Sequence, residues 1–598
     1  MSSVNVAYTG LRRFDVERGS ALSAVSVASS NLDEISPSVS YLEAAQDIAI
    51  TSCLIESVDL GVFCNMAKLQ LLNFYGNRIR YVKNSANSNC SLYDSLTTLT
   101  LSQNYLQSLN MGLLSPFRSL ALLNVNENRV EAVFGSYETD ANLTMFLQKN
   151  KIKSFDVCTW YVPRMHSLDL QHNQLSTVPN CLEKLNGVSQ LILAFNQLSN
   201  VSIESFAKME SLVYLNLCCN NMTSISFNTT RYPISLRTVL LAENNLTALD
   251  LSLVAVPSLE VDVEKNFIET FDVRKVSANV TKLLMRNNPI DCSWKTNEER
   301  SNISVLNVAR TGLRRIDVEK HSAMVELFKA YSNIAHISPS ISNLKASRNI
   351  AVTNCWLESL DLGAFCDMPK LNMLNFCENR IRYIQNSANG NCSLYNSLET
   401  LTLSRNFLRS LNMELFNPFR SLMYLTLKEN RIEAVFGQFE TDTDFNLFLT
   451  NNNIKVFDVC EWNVPRMLWL ELQHNNLSTV PNCLEHLKSV QSIALSYNQL
   501  ANVSIESFAK MESLSKLILS SNSMTLISFN TDQYPANLRT VWITNNNLTE
   551  LDLSLVAVSS LEVNAQDNYI EVFDVSKVSA NVTTLCMIGN PINCSWRT

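Results

Sequence analysis

Apolar and polar positions along this chain follow one register, L-x-x-L-x-L-x-x-N-x-L, which returns every 21 to 27 residues. Leu69, Leu72, Phe74, Asn77 and Ile79 fit it, and so do Leu96, Leu99, Leu101, Asn104 and Leu106. The ninth position runs through the first half of the chain as Thr9, Ser30, Cys53, Asn77, Asn104, Asn128, Asn150, Asn173, Asn196, Asn220, Asn244, Asn266 and Asn288. An offset of 302 residues carries the same position from Thr311 to Asn590, through Asn475 and Asn498. That gives thirteen rungs per half and 26 in all.

The spacing predicts a short strand at each x-L-x-L-x, with the leucines turned inward and their neighbours facing solvent. Repeats of this length stack, so that each rung buries its apolar side against the next. At the ninth position the chain turns, and an asparagine amide, which both donates and accepts, can bridge the turns of adjacent rungs. The expected fold is therefore an α/β leucine-rich-repeat solenoid, a horseshoe or superhelix with a parallel sheet on its concave face. Thr9, Ser30 and Cys53 are weaker bridges than asparagine, which predicts looser packing over the first three rungs.

The two halves are copies. Asn5 to Arg13 returns as Asn307 to Arg315, and Cys53, Cys64, Cys90, Cys158, Cys181 and Cys292 return as Cys355, Cys366, Cys392, Cys460, Cys483 and Cys594. Two units follow, 1–302 and 303–598. The polar stretch from Ser293 to Ser304 looks like a linker, yet Asn288 to Thr311 has the length of one ordinary rung. The expectation is one continuous solenoid, not two separate modules.

Composition narrows the function. With 46% apolar and 17% charged residues the chain belongs among folded proteins. A net charge of −8 and the absence of any long basic run argue against a nucleic-acid partner. The longest apolar stretches, such as Leu251 to Val263, are interrupted by acidic residues and do not span a bilayer, so no direct membrane insertion is expected. The first ten residues lack the layout of a secretory signal, which is read as an incomplete N-terminus.

Sixteen cysteines without a C-x-x-C pair exclude zinc ribbons and thioredoxin-like motifs. Cys158 and Cys181 share a phase on adjacent rungs, about 4.8 Å apart, within the reach of a disulfide. Cys64 and Cys90 are close in phase beside the longest rung. The same reasoning selects Cys366 with Cys392 and Cys460 with Cys483. Cys53 and Cys355 take the ladder position as structural thiols. Cys218, Cys377 and Cys586 fall on outward positions, and Cys219, Cys292 and Cys594 have no assigned role. Fourteen N-x-[ST] triplets, among them Asn89, Asn142, Asn200, Asn279, Asn391, Asn502 and Asn581, join the paired cysteines in pointing to a secreted, extracellular glycoprotein.

Leu472 to Val480, Ala494 to Leu500, Ser507 to Met511, Leu517 to Asn522 and the closing Asn590 to Trp596 resemble the mosquito leucine-rich-repeat immune proteins. The resemblance covers the repeat region of each copy. It implies a haemolymph protein that binds complement-like thioester proteins or sister repeat proteins. Long members carry a C-terminal coiled coil, whereas this sequence stops at Thr598, and a doubled array is not the family's usual plan.

Catalysis is not expected. The six histidines are scattered, with His166 and His172 flanking one strand, and there is no glycine-rich phosphate loop. No cofactor or metal is expected either. A binding protein needs only a large shaped surface, and the outward positions offer aromatic residues beside charges, the composition of interface hot spots. In the second copy these are Tyr424, Lys428, Phe448, Trp469, Glu471, Tyr497 and Trp542. In the first they include Tyr75, His172 and Tyr214, with Asp169 and Phe195. The alternative reading is the ectodomain of a leucine-rich-repeat membrane receptor.

Overall fold

A computed structural model describes residues 3–592, apart from 228, 273, 274, 291, 292, 296–302, 313, 319–323, 530 and 532. The chain divides into two compact units, whose main parts are Met1–Ile290 and Ser304–Thr598. In the first unit thirteen parallel strands stack from Ser3–Ala7 to Val280–Leu284, and in the second another thirteen stack from Val305–Asn307 to Val582–Cys586. The junction around Glu298, together with Cys292, Cys594 and the closing segment through Trp596, lies outside the described residues.

Central apolar residues line up from strand to strand. Leu168, Leu191 and Leu215 sit side by side across three strands, and Leu470, Ile493 and Leu517 repeat the arrangement in the second unit. All six are buried. Behind the sheet the return segments are short. Some pair as a second parallel ladder, as Ser57–Asp59 does with Tyr81–Lys83 and Ser359–Asp361 with Tyr383–Gln385. Others form single turns of 3-10 helix capped by a side chain, as where Asp59 accepts from the Gly61 amide at 3.0 Å. The helical share of the α/β layout is small: among the described residues the one α-helix is Leu92–Ser95.

The ladder asparagines tie rung to rung. The Asn173 amide donates to the carbonyls of Leu147 at 3.0 Å and Leu170 at 2.9 Å, and its oxygen accepts from the Ile152 amide at 2.9 Å. Asn77, Asn104, Asn196, Asn475 and Asn498 make the same three-way bridge. Ser30 and Cys53 donate to Ala28 and Thr51 of their own rung, and each makes a single contact to the preceding one, Ser30 with the Thr9 hydroxyl and Cys53 with the Val27 carbonyl. They are as buried as the asparagines, and there the strands lengthen to five residues, Ala24–Ala28 and Asp47–Thr51. Longer backbone pairing replaces the missing amide bridge.

Immediately before the ladder position the backbone is left-handed in every rung, from Tyr8 at φ 54° to Asp567 at φ 53°. Glycine takes that place only at Gly76 and Gly589, although a side chain there costs roughly 1–2 kcal/mol. The turn is thus imposed by stacking, not by local preference.

Four disulfides join adjacent rungs: Cys64–Cys90, Cys158–Cys181, Cys366–Cys392 and Cys460–Cys483. Cys53 and Cys355 are buried thiols, and Cys218, Cys219, Cys377 and Cys586 are half-buried ones.

Candidate binding surface

The outward residues of a parallel ladder line up in columns, because registered strands place equivalent side chains side by side. In the second unit the strands Tyr424–Thr426, Asn446–Phe448, Trp469–Glu471, Ser492–Ala494, Lys516–Ile518 and Thr540–Trp542 are consecutive neighbours. One column reads Tyr424, Asn446, Trp469, Ser492, Lys516, Thr540. The next reads Thr426, Phe448, Glu471, Ala494, Ile518, Trp542. Trp469 is 51% exposed, Tyr424 45% and Trp542 39%.

Charges are woven between the rings. Lys428 pairs with Glu471 at 2.7 Å while its ammonium sits 4.9 Å from the Phe448 ring centre, and Lys516 lies 3.8 Å from that of Trp542. Small side chains at Ser492 and Ala494 leave a depression of about 310 Å³ between Trp469 and Glu471 on one side and Lys516 and Ile518 on the other. The arrangement offers an apolar floor, two exposed indoles and charges already ordered by cation–π contact, which suits the burial of a protein side chain or loop.

The remaining residues singled out in the sequence are placed differently. Tyr497 occupies the left-handed turn, not a strand column, and stacks on His474 with ring centres 4.0 Å apart. His172 sits at the equivalent turn of the first unit, stacked on Phe195 at 4.0 Å. Tyr75 follows the fourth strand and Tyr214 opens the tenth, so these two do not share a patch. Asp169, expected outward, is 6% exposed, and burial pushes its carboxyl above the ordinary range. Phe146 and Ile192 stand beside it on the flanking strands.

Two features escaped the sequence. Burial raises the carboxyls of Asp262 and Glu264 on the first unit's sheet face. The left-handed turns also carry a polar ladder of their own, in which Arg405 bridges Glu378 at 2.8 Å and Glu429 at 3.0 Å. Counting back from each ladder asparagine would have found the second feature, since Glu378, Arg405 and Glu429 all stand one residue before it. Among the described residues no group of three or more His, Cys, Asp or Glu is placed to hold a metal. No helix among them is long and apolar enough to cross a membrane.

The rungs, the amide ladder and the parallel sheet of each unit define a leucine-rich-repeat solenoid. The family model described as leucine rich repeat matches residues 186–246. The chain is similar to podocan of Mus musculus, 24% identical over 61% of this chain and 53% of that protein. It is also similar to adenylate cyclase of Schizosaccharomyces pombe, 23% identical over 76% of this chain and 27% of the enzyme. The chain thus spans about half of the first relative and about a quarter of the second. The solved structure of the Toll–Spatzle complex from Drosophila shares the fold, with a TM-score of 0.52 and 16% identity over 92% of this chain and 81% of that one.

Proposed function

We propose that this is a non-catalytic binding protein of the extracellular space that holds another protein on the sheet face of its second unit. The observation that carries the reading is the register: Trp469 stands two strands from Tyr424 and lines a shallow depression with Lys516 and Ile518, and Trp542 follows Ile518 in the neighbouring column. Four inter-rung disulfides favour an oxidising compartment. The Toll fold, solved with the protein Spatzle bound, offers a precedent for a repeat array holding a protein ligand. The resemblance to mosquito immune proteins narrows the partner to a complement-like thioester protein or a sister repeat protein.

Truncating a central aromatic anchor typically costs about 2 kcal/mol of binding, roughly thirtyfold in affinity. Surface plasmon resonance with a purified thioester protein of the complement type tests the reading. The Trp469→Ala, Trp542→Ala double variant is expected to lose at least that factor with an unchanged melting curve. Equal affinity for variant and parent would move the binding face elsewhere.

A further inference from the structure

We propose a second interaction surface, on the flank of the second unit beyond the ladder asparagines, that takes a linear acidic polysaccharide. Residues one and three places past the ladder position stack rung upon rung there. The Arg380 and Arg382 amides donate to Leu357 and Glu358, and the Phe407 and Arg431 amides to Ile381 and Leu408, all at 2.9–3.0 Å. One column therefore alternates ring and guanidinium: Trp356, Arg380, Phe407, Arg431. The column beside it sets Arg382 next to Arg409.

The guanidiniums are held ready for an anion. Arg380 lies 4.8 Å from the Trp356 ring centre and Arg431 4.5 Å from that of Phe407, so each guanidinium rests over an aromatic ring. Among the described residues none of the four arginines is in an ion pair. Of the nearby carboxylates, Glu378 and Glu429 pair with Arg405 and Glu433 with Lys455 at 3.6 Å, while Glu358 ends the Arg382–Arg409 column on the preceding rung. Placing Arg382 beside Arg409 costs stability through like-charge repulsion, which a bound anion would relieve. The first unit repeats the pattern with Arg78, Arg80 and Arg129, the last 4.4 Å from the Tyr105 ring centre. On a chain of net charge −8 the second unit's strip is a local exception, whereas in the first unit Arg78 lies beside Asp33, Glu34 and Glu56.

Spacing selects the polymer. Rungs recur about every 4.8 Å, so Arg380 and Arg431, two rungs apart, stand roughly 10 Å from each other. An extended peptide presents same-side residues about every 6.7 Å, out of step with that row. A polysaccharide whose acid groups recur with each disaccharide keeps closer step. The strip is also clear of glycan acceptors: the triplets at Asn221, Asn245, Asn476 and Asn547 occupy the same column only on later rungs.

Heparin–agarose chromatography of the full chain tests this. The parent is expected to be retained at physiological salt. The Arg380→Gln, Arg382→Gln, Arg409→Gln, Arg431→Gln variant is expected to elute at lower salt, and the slope of its log affinity against log salt to fall by about one for each guanidinium–anion pair removed. A control variant, Lys68→Gln, Lys208→Gln, Lys370→Gln, Lys510→Gln, removes the same charge and is expected to elute with the parent. On the parent itself, heparin is expected to protect Arg380 and Arg431 from phenylglyoxal. Equal elution of parent and arginine variant, equal loss in both variants, absence of protection, or displacement by polyglutamate as readily as by heparin would each overturn the proposal; the last would point to an acidic protein instead.

Discussion

A ladder asparagine satisfies three backbone groups with one amide, and so couples two rungs. Removing it strands buried carbonyls and an amide, at about 1–3 kcal/mol. Asn173→Ala and Asn475→Ala are each expected to lower stability by that amount, read from urea melts; an unchanged midpoint would show that the amide bridge contributes little. Lys329 is a different case. It takes the core position that Val27 holds in the first copy, is 1% exposed, and burial lowers its pKa to about 7. A folded-state value below the unfolded one means that the unfolded chain binds more protons between about pH 7 and 10.5, so stability rises with pH across that window. Lys329→Val is expected to stabilise the fold by roughly 1–4 kcal/mol and to flatten that rise. Melting temperatures at pH 7 and pH 9.5 check both outcomes.

At the scale of the rung, the disulfides close loops of 23 and 26 residues. For loops of that length the loss of one bridge typically costs about 2–4 kcal/mol. Cys460→Ser, Cys483→Ser is expected to show such a loss, and peptide mapping without reductant to recover Cys158 joined to Cys181 in the parent. Strands, ladder and inward leucines were legible in the sequence because burial restricts those positions to few residue types. The sheet-face columns were legible too, by counting back from the ladder. The left-handed turns were not. Their side chains face solvent, so Gln103, Glu127, Lys149, His172 and Phe195 serve equally, and no composition marks them. Tyr497 and His172 were assigned to the sheet face for that reason, although the turn swings both to its rim. The flanking arginine strip stayed hidden because its regularity lies between rungs, some 24 residues apart in the chain.

At the scale of the molecule, the second copy starts one ordinary rung after the first, and the expectation of an unbroken stack through residues 296–302 is checked by limited proteolysis. Resistance near Glu298 is expected; two stable halves cut there would show separate modules. Duplication also has a cost in assembly. Every rung has a near-twin 302 residues away, with the same ladder residue, a closely similar apolar core and, at six positions in each copy, a cysteine of the same phase. A collapsing chain can therefore seat a strand against the neighbour of its twin with almost no energetic penalty, the kind of kinetic trap to which repeat proteins are prone. Each disulfide links a rung only to the next, so an oxidised chain carries fixed points from which correct pairing spreads. Refolding of the oxidised chain is expected to be fast and complete, whereas the reduced and reoxidised chain accumulates crossed bridges such as Cys158 with Cys483. The bridges act less as staples of the finished array than as a memory of which half each rung belongs to.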